Sequence, residues 1–235
     1  MNMLVIGGSG GLGLALVEIF CGLDATHQVI ATYRSRQPDF SRANLNWVQL
    51  DITQEAAIAQ LFADCPDLTY IINAVGLLHS AAGNPEKTIN RLDAEFFMDN
   101  IRVNTLSTLL IAKYARHALK NAQRSVFAAL SARVGSISDN RLGGWYSYRC
   151  SKAALNMAVK TLSIEWQRTL PNCAVVALHP GTVSTELSAP FTGRTATQTR
   201  FAPDQSAQWL ADIIMGLTPE DTGQFIAFDG SQVDW

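Results

Sequence analysis

Tyr148 and Lys152 stand four residues apart, and Gly7, Gly11 and Gly13 lie near the start of the same 235-residue chain. On a helix, a spacing of four puts a phenol and an ammonium on one face, one turn apart. A free phenol has a pKa of about 10 and is a poor proton donor or acceptor at neutral pH. A cation beside it stabilises the phenolate and is expected to lower that pKa. The glycines supply the complementary half. Glycine permits a tight turn and lets the backbone approach a pyrophosphate closely, and a helix starting there aims its free N–H groups at the anion. A tuned acid/base facing a dinucleotide serves hydride transfer between a carbonyl and an alcohol. Each half alone has an ordinary reading, a solvated lysine over a ring or a bare strand-to-helix turn. Their joint presence in this order favours the chemistry.

These residues need a scaffold. Apolar runs at 3–6, 28–33, 47–50, 69–73, 125–130, 174–178 and 225–228 read as strands, and the patterns at 11–21, 54–62, 91–119, 146–168 and 203–215 read as helices. Several strands are apolar on both faces, as in a parallel sheet covered on each side. The alternation predicts an α/β fold, a Rossmann-like doubly wound sheet of about seven parallel strands with right-handed crossovers. The length suits one domain over 1–235. The stretch 188–203, rich in Pro, Gly and Thr, reads as a loop long enough to be a substrate lid.

Composition narrows the partners. A chain 48% hydrophobic and 16% charged is globular rather than disordered. A net charge of −2 argues against an electrostatic grip on nucleic acid or anionic membrane. The first predicted strand begins at Met3, which leaves no room for a signal peptide, and no apolar run has the length of a membrane span. Cys21, Cys65, Cys150 and Cys173 form no CxxC pair and read as reduced, buried thiols of a cytoplasmic protein. The four histidines lack metal-ligand spacing, so no metal is expected.

The cofactor half can be read further. An NAD site usually carries an acid about 20 residues after the glycines to hold the ribose 2′-hydroxyl. Here the second strand ends in Tyr33-Arg34. Arg34 either pairs with a 2′-phosphate, which favours NADP over NAD, or is, with Arg36, a solvated charge. Asp51 ends the third strand. It either accepts a hydrogen bond from the adenine amino group or caps the next helix, for which Thr53 is also suited. Asn73-Ala74-Val75-Gly76 ends the fourth strand, and such ends line the ligand crevice.

Together these pieces resemble the short-chain dehydrogenase/reductase family over nearly the whole chain. Gly7…Gly11-Leu12-Gly13 resembles its nucleotide turn, and Asn73–Gly76 resembles its Asn-Asn-Ala-Gly strand end, with Ala74 in place of the second Asn. Asn104 falls where the family carries a catalytic Asn, and Tyr148-x3-Lys152 matches its active-site pair. Pro180-Gly181-Thr182-Val183-Ser184-Thr185 resembles its Pro-Gly-x-Val-x-Thr turn. The stretches 130–137, 143–149 and 227–235 are similar to the C-factor and sniffer-type carbonyl reductases.

The resemblance implies an NADP-dependent carbonyl reductase or alcohol dehydrogenase. Gly7, Ser9, Gly10, Gly11, Leu12 and Gly13 would cradle the nucleotide, with Ile52 beside Asp51 at the adenine. The backbone of Val183 and the hydroxyl of Thr185 would hold the nicotinamide amide. Lys152 would also bond the nicotinamide ribose, and Asn104 would hold a water that resupplies the proton. One departure stands out. The family's catalytic Ser is usually the second of a Ser-Ser pair, and here the pair reads Ser131-Ala132. Neighbouring strand residues point to opposite faces, so a local bend would have to bring Ser131 in, or Ser136 or Ser138 would substitute. Ser131 is the expected donor.

Trp145, Trp166 and Trp209 sit at helical positions where packing is expected, and Cys150 is expected to be a small buried thiol. Leu109, Ala112, Leu155, Ala158 and Leu162 form apolar helix faces that the resemblance pairs across a two-fold axis, as a homodimer or homotetramer. Specificity for a small carbonyl or alcohol substrate would come from the loops 77–85, 137–145 and 188–203, whose charges include Arg141, Arg194 and Arg200. A rival reading is a non-catalytic dinucleotide-binding regulator or a C-factor-like signalling protein, which needs the glycine turn but not Asn104, Tyr148 and Lys152 together.

Overall fold

The strand β1 (Asn2–Ile6) is buried from Met3 onward. Leu4 and Ile6 enter one apolar layer, Met3 and Val5 the other, the period of two that a strand imposes. In the computed structural model, which describes residues 1–65, 67–191 and 200–235, β1 pairs with β2 (Gln28–Tyr33) and β4 (Tyr70–Asn73). With β3 (Leu45–Gln49), β5 (Ser125–Leu130), β6 (Cys173–His179) and β9 (Phe225–Ala227) they form a seven-stranded sheet of order β3-β2-β1-β4-β5-β6-β9. Every pairing in it is parallel, so all carboxyl ends open at one edge. Strand order runs outward from β1 in both directions, which makes the gap between β1 and β4 the switch point where such sheets bind ligands.

Helices cover both faces, as the continuous apolar runs require. Leu16, Val17 and Phe20 of α1 (Gly11–Leu23) and Leu210 and Ile214 of α6 (Pro203–Gly216) fill one layer. Ile58 and Phe62 of α2 (Glu55–Asp64), Ile111 and Leu119 of α4 (Ser107–Leu119), and Leu155, Val159 and Trp166 of α5 (Tyr146–Thr169) fill the other. The buried stripe of α5 changes character along its length. Ser147, Tyr148, Ser151, Lys152 and Asn156 come first, and the apolar Val159 and Trp166 follow. That polar beginning marks the site.

The single helix predicted over 91–119 is broken. Ile89–Arg91 forms a 3-10 turn, Asp93 caps α3 (Ala94–Ile101) by accepting from the Phe96 N–H at 2.8 Å, and Arg102–Leu106 is π-helical before α4 begins. A π segment inserts one residue into the turn, which is typical of functional positions. It carries Asn104. The expected lid at 188–203 has only its flanks among the described residues: a 3-10 turn at Ala189–Phe191 and β8 (Arg200–Phe201), which pairs with β7 (Thr182–Val183). Residues 192–199, with Arg194, lie outside them. Among the described residues, no helix is long and apolar enough to cross a membrane.

The apolar helix faces differ from expectation. Ala112 and Leu155 are core residues, and the exposed apolar side chains of this region are Met98, Leu106, Leu109, Met157 and Ile164. The cysteines divide too. Cys21 and Cys173 are buried, Cys65 is half-buried, and Cys150 is exposed rather than buried.

Candidate active site

A cleft of about 1690 Å³ runs along the carboxyl edge of the sheet. Its floor is the glycine turn. Gly7 has φ +81, and a Cβ there would stand 2.7 Å from Val75 Cγ2. A Cβ on Gly13 would stand 2.1 Å from the Gly7 carbonyl oxygen. Both positions therefore admit only glycine if the turn is to close this tightly. The Gly7 N–H donates to Thr32 Oγ1 at 2.9 Å, which ties the turn to β2. Gly10 caps α1 without a side-chain bond, and the first turn holds no acid. Its N–H groups and positive dipole end thus open into the cleft beside Ser9, Gly11 and Leu12. The residues present fit a dinucleotide pyrophosphate.

The other predicted cofactor contacts mostly converge on the same cleft. Tyr33, Arg34, Asp51, Ile52, Ala74, Val75 and Gly76 border it, as do Pro180, Gly181, Val183 and Thr185. Gly181 has φ +78, and a Cβ there would stand 2.8 Å from the Phe201 ring. Thr185 Cγ2 would stand 3.0 Å from a Cβ on Gly11, so the 180–185 turn lies directly over the start of α1. Two residues differ from expectation. Asn73 is buried and does not border the cleft. Its Nδ2 donates to Thr108 Oγ1 at 2.8 Å and its Oδ1 accepts from the Val75 N–H at 3.2 Å, so it shapes the strand end. Asp51 borders the cleft but does not cap α2, whose N-cap is Gln54. Its Oδ1 accepts from the Thr53 N–H and hydroxyl at 2.9 and 2.7 Å. Those bonds, with Arg34 nearby, hold its carboxyl below the usual range.

Tyr148 and Lys152 face this floor from α5. Both are buried and both border the cleft. Lys152 Nζ lies 5.8 Å from the centre of the Tyr148 ring and donates to the Leu130 carbonyl at the end of β5 at 2.8 Å. A Cβ on Gly135 would stand 2.8 Å from Lys152 Cβ, so glycine lets the 133–135 turn press against α5 at this point. The expected lowering of the Tyr148 pKa is reversed. Burial pushes the phenol up, and it pushes Lys152 down to about 8. Removal from water outweighs the attraction of an ammonium that is spent on a carbonyl. Tyr148 is therefore a neutral phenol, a proton donor.

Asn104 is buried within the π segment. Its Oδ1 accepts from the Leu77 N–H at 2.7 Å, and its Nδ2 reaches the Leu77 carbonyl at 2.8 Å, Ser151 Oγ at 2.9 Å and Asn100 Oδ1 at 3.2 Å. It pins the chain after β4 to α5. Its side-chain amide is fully engaged by protein groups.

The three serines differ in where their hydroxyls go. Ser131 borders the cleft, but its hydroxyl donates to Asn156 Oδ1 on α5 at 2.6 Å. Ala132, also extended (φ −151, ψ 146), borders the cleft beside it. Ser136 and Ser138 bond each other at 3.3 Å, and Ser138 donates to the Trp235 carbonyl at 3.1 Å. Of these three, only Ser131 borders the cleft.

Glu86 went unassigned in the sequence, and Trp145 was expected only to pack. Glu86 is buried at the end of the loop after β4. One carboxylate oxygen accepts from the Ser147 N–H at 3.0 Å, the other from the Ser147 hydroxyl, and its backbone carbonyl accepts from the Trp145 N–H. Trp145 caps α5 with no side-chain oxygen of its own. Glu86 supplies the missing acceptor from 61 residues away, and its charge suits the helix N-terminus. Trp145 packs against Tyr148 and Phe191 but stands just before α5 rather than within it. It has φ 52 and ψ 42, follows Gly143 and Gly144 at φ 64 and 65, and borders the cleft. His79 also borders the cleft, with Nε2 3.1 Å from the Glu186 carbonyl oxygen.

Comparison with known proteins agrees with this geometry. A family model described as short chain dehydrogenase matches residues 1–195. The whole chain is 30% identical to 1-hydroxy-2-glutathionyl-2-methyl-3-butene dehydrogenase of Rhodococcus sp. (strain AD45), over 99% of that protein. It is 35% identical to C-signal of Myxococcus xanthus over 133 residues, 57% of this chain and 75% of that one. Among solved structures, it is similar to NADPH-bound carbonyl reductase from chicken fatty liver, with a TM-score of 0.86 and 27% identity, over 100% of this chain and 94% of that one.

Proposed function

The chain belongs to the short chain dehydrogenase family and is an oxidoreductase, and from that premise we propose an NADP-dependent carbonyl reductase or alcohol dehydrogenase. The observation that carries the proposal is one cleft bordered by the glycine turn, Tyr148 and Lys152. Arg34 and Arg36 border its adenosine end, where Tyr33 and Arg34 rather than an acid end β2, and Asp39 lies 3.9 Å from Arg36. A 2′-phosphate suits two guanidinium groups, whereas a bare ribose gains nothing from them. The similar chicken enzyme binds NADPH.

The glycine turn at the start of α1 and the 180–185 turn would hold NADPH, which would supply the hydride. Tyr148 donates its proton to the carbonyl oxygen as the carbon is reduced. Lys152, charged below about pH 8, stabilises the phenolate left behind and holds the ribose hydroxyls. Asn104 is a positioning residue that fixes Leu77 and α5 relative to each other. With the Ser131 hydroxyl given to Asn156, Tyr148 is the principal donor to the developing alkoxide.

Replacing Tyr148 with Phe tests the reading. Turnover of a carbonyl panel is expected to fall at least about 100-fold while NADPH still binds by fluorescence titration. Undiminished turnover rejects the role of Tyr148. A signalling activity that survives in the same variant favours the non-catalytic reading instead. A tenfold preference for NADH, about 1.4 kcal/mol, would reject the Arg34 argument.

We also infer a single dinucleotide-binding and catalytic domain over 1–235, with 188–203 as its lid, and a cytoplasmic protein whose four cysteines stay free. The outward apolar residues Leu106, Leu109, Met157 and Ile164 support a homodimer, and light scattering would read its mass.

A further inference from the structure

We propose that Trp145 selects the substrate, and that the cleft takes carbonyl compounds carrying a flat, unsaturated ring. The proposal deepens the carbonyl reductase reading and rests on it. Three consecutive residues, Gly143, Gly144 and Trp145, share the left-handed conformation. The first two are glycines, for which that conformation is free of Cβ strain. A bulky residue with positive φ is a genuine outlier, and such strain gathers at ligand sites when surrounding structure enforces it.

The enforcement is visible. Arg149 Nε donates to the Gly143 and Gly144 carbonyls at 3.2 and 3.1 Å, and the Glu86 carbonyl takes the Trp145 N–H. A third glycine would relieve the backbone, so the indole must serve something a glycine cannot. It forms the middle of an aromatic wall. Its ring lies 6.3 Å from the Tyr148 ring and 5.4 Å from Phe191, which lies 5.5 Å from His79, all at edge-on angles between 63 and 67°. These four residues border the cleft, and Leu142, 86% exposed, stands at its mouth. A flat ring joins such a wall by offset or edge contacts. A puckered ring of equal size fills the volume but makes fewer of them.

The test uses matched pairs that differ only in ring saturation. Benzamide and cyclohexanecarboxamide, whose carbonyls are not reduced, report binding by calorimetry. Acetophenone and cyclohexyl methyl ketone report turnover with NADPH. Wild type is expected to bind benzamide about three- to tenfold more tightly than its saturated partner. Trp145→Leu is expected to bring that ratio to about one, and Trp145→Phe to restore most of it. The ratio of the two kcat/KM values should move in parallel. Trp145→Gly, unstrained at this φ, serves where Trp145→Leu does not fold. A binding ratio near one in wild type, a ratio that persists in both Trp145→Leu and Trp145→Gly, or binding of neither amide overturns the proposal. If the amide ratio behaves as stated but no carbonyl is turned over, the wall stands and the reductase reading falls.

Discussion

Replacing Lys152 with Met should stabilise the cofactor-free protein while abolishing its turnover. Lys152 is 2% exposed, and its pKa drops from 10.5 to about 8 because burial disfavours the charged form. That drop is equivalent to about 3 kcal/mol at neutral pH. Met fills a similar volume without charge, but it leaves the Leu130 carbonyl, now 2.8 Å from Nζ, without its donor, at about 1 kcal/mol. The net gain is about 2 kcal/mol. For a chain of 235 residues this raises Tm by about 4 °C.

The pH dependence separates this cause from simple repacking. Because the folded pKa lies below the unfolded one, the penalty is fully present below about pH 8 and is relieved as pH rises toward 10.5. The advantage of the variant should therefore shrink steadily and close by about pH 10. Tyr148 does not confound this window, since its folded pKa is raised and its unfolded one is about 10. Calorimetric melts of both proteins without nucleotide, from pH 7 to 10, measure it. A variant less stable than wild type at pH 7, or a gap that does not change with pH, would refute the argument that buried charge at Lys152 is held against its own hydration.

Three further outcomes follow from particular contacts. Ser131→Ala should cost about 1 kcal/mol in a urea melt for the lost bond to Asn156 and lower kcat by less than about threefold. Ala132→Ser, which adds a hydroxyl on the cleft side, should raise kcat by about tenfold, a conservative share of what an oxyanion donor contributes. Glu86→Ala removes the acceptors at the start of α5 and should cost about 2–3 kcal/mol of stability. It should lower kcat more than it raises the KM for NADPH, with Glu86→Gln recovering part of both. His179 is held neutral to about pH 4 by burial, with Arg133 adding to the effect. Its unfolded pKa of 6.5 is higher, so stability is lost as pH falls from 6.5 to 4. His179→Gln should show a shallower acid decline of Tm over that window.

Much of this protein was legible in one dimension because the signals are local. Tyr148 and Lys152 face one way because a helix repeats every 3.6 residues. Gly7 and Gly13 announce a turn that only glycine can close. Alternating apolar runs define a parallel sheet because each strand must bury both faces. What folding alone decided lies in contacts between distant segments. Glu86 completes the start of α5 from 61 residues away in the chain, and nothing near either residue marks the pairing. The Ser131 hydroxyl is taken by Asn156, a residue of α5 brought beside the end of β5 only by packing. The π segment carries Asn104 to both Leu77 and Ser151 of α5, contacts no local pattern announces. The acidity of Tyr148 is inverted from expectation, and that of Lys152 is shifted with it, because charge state depends on how much water the surrounding chain excludes, a quantity no spacing of residues encodes.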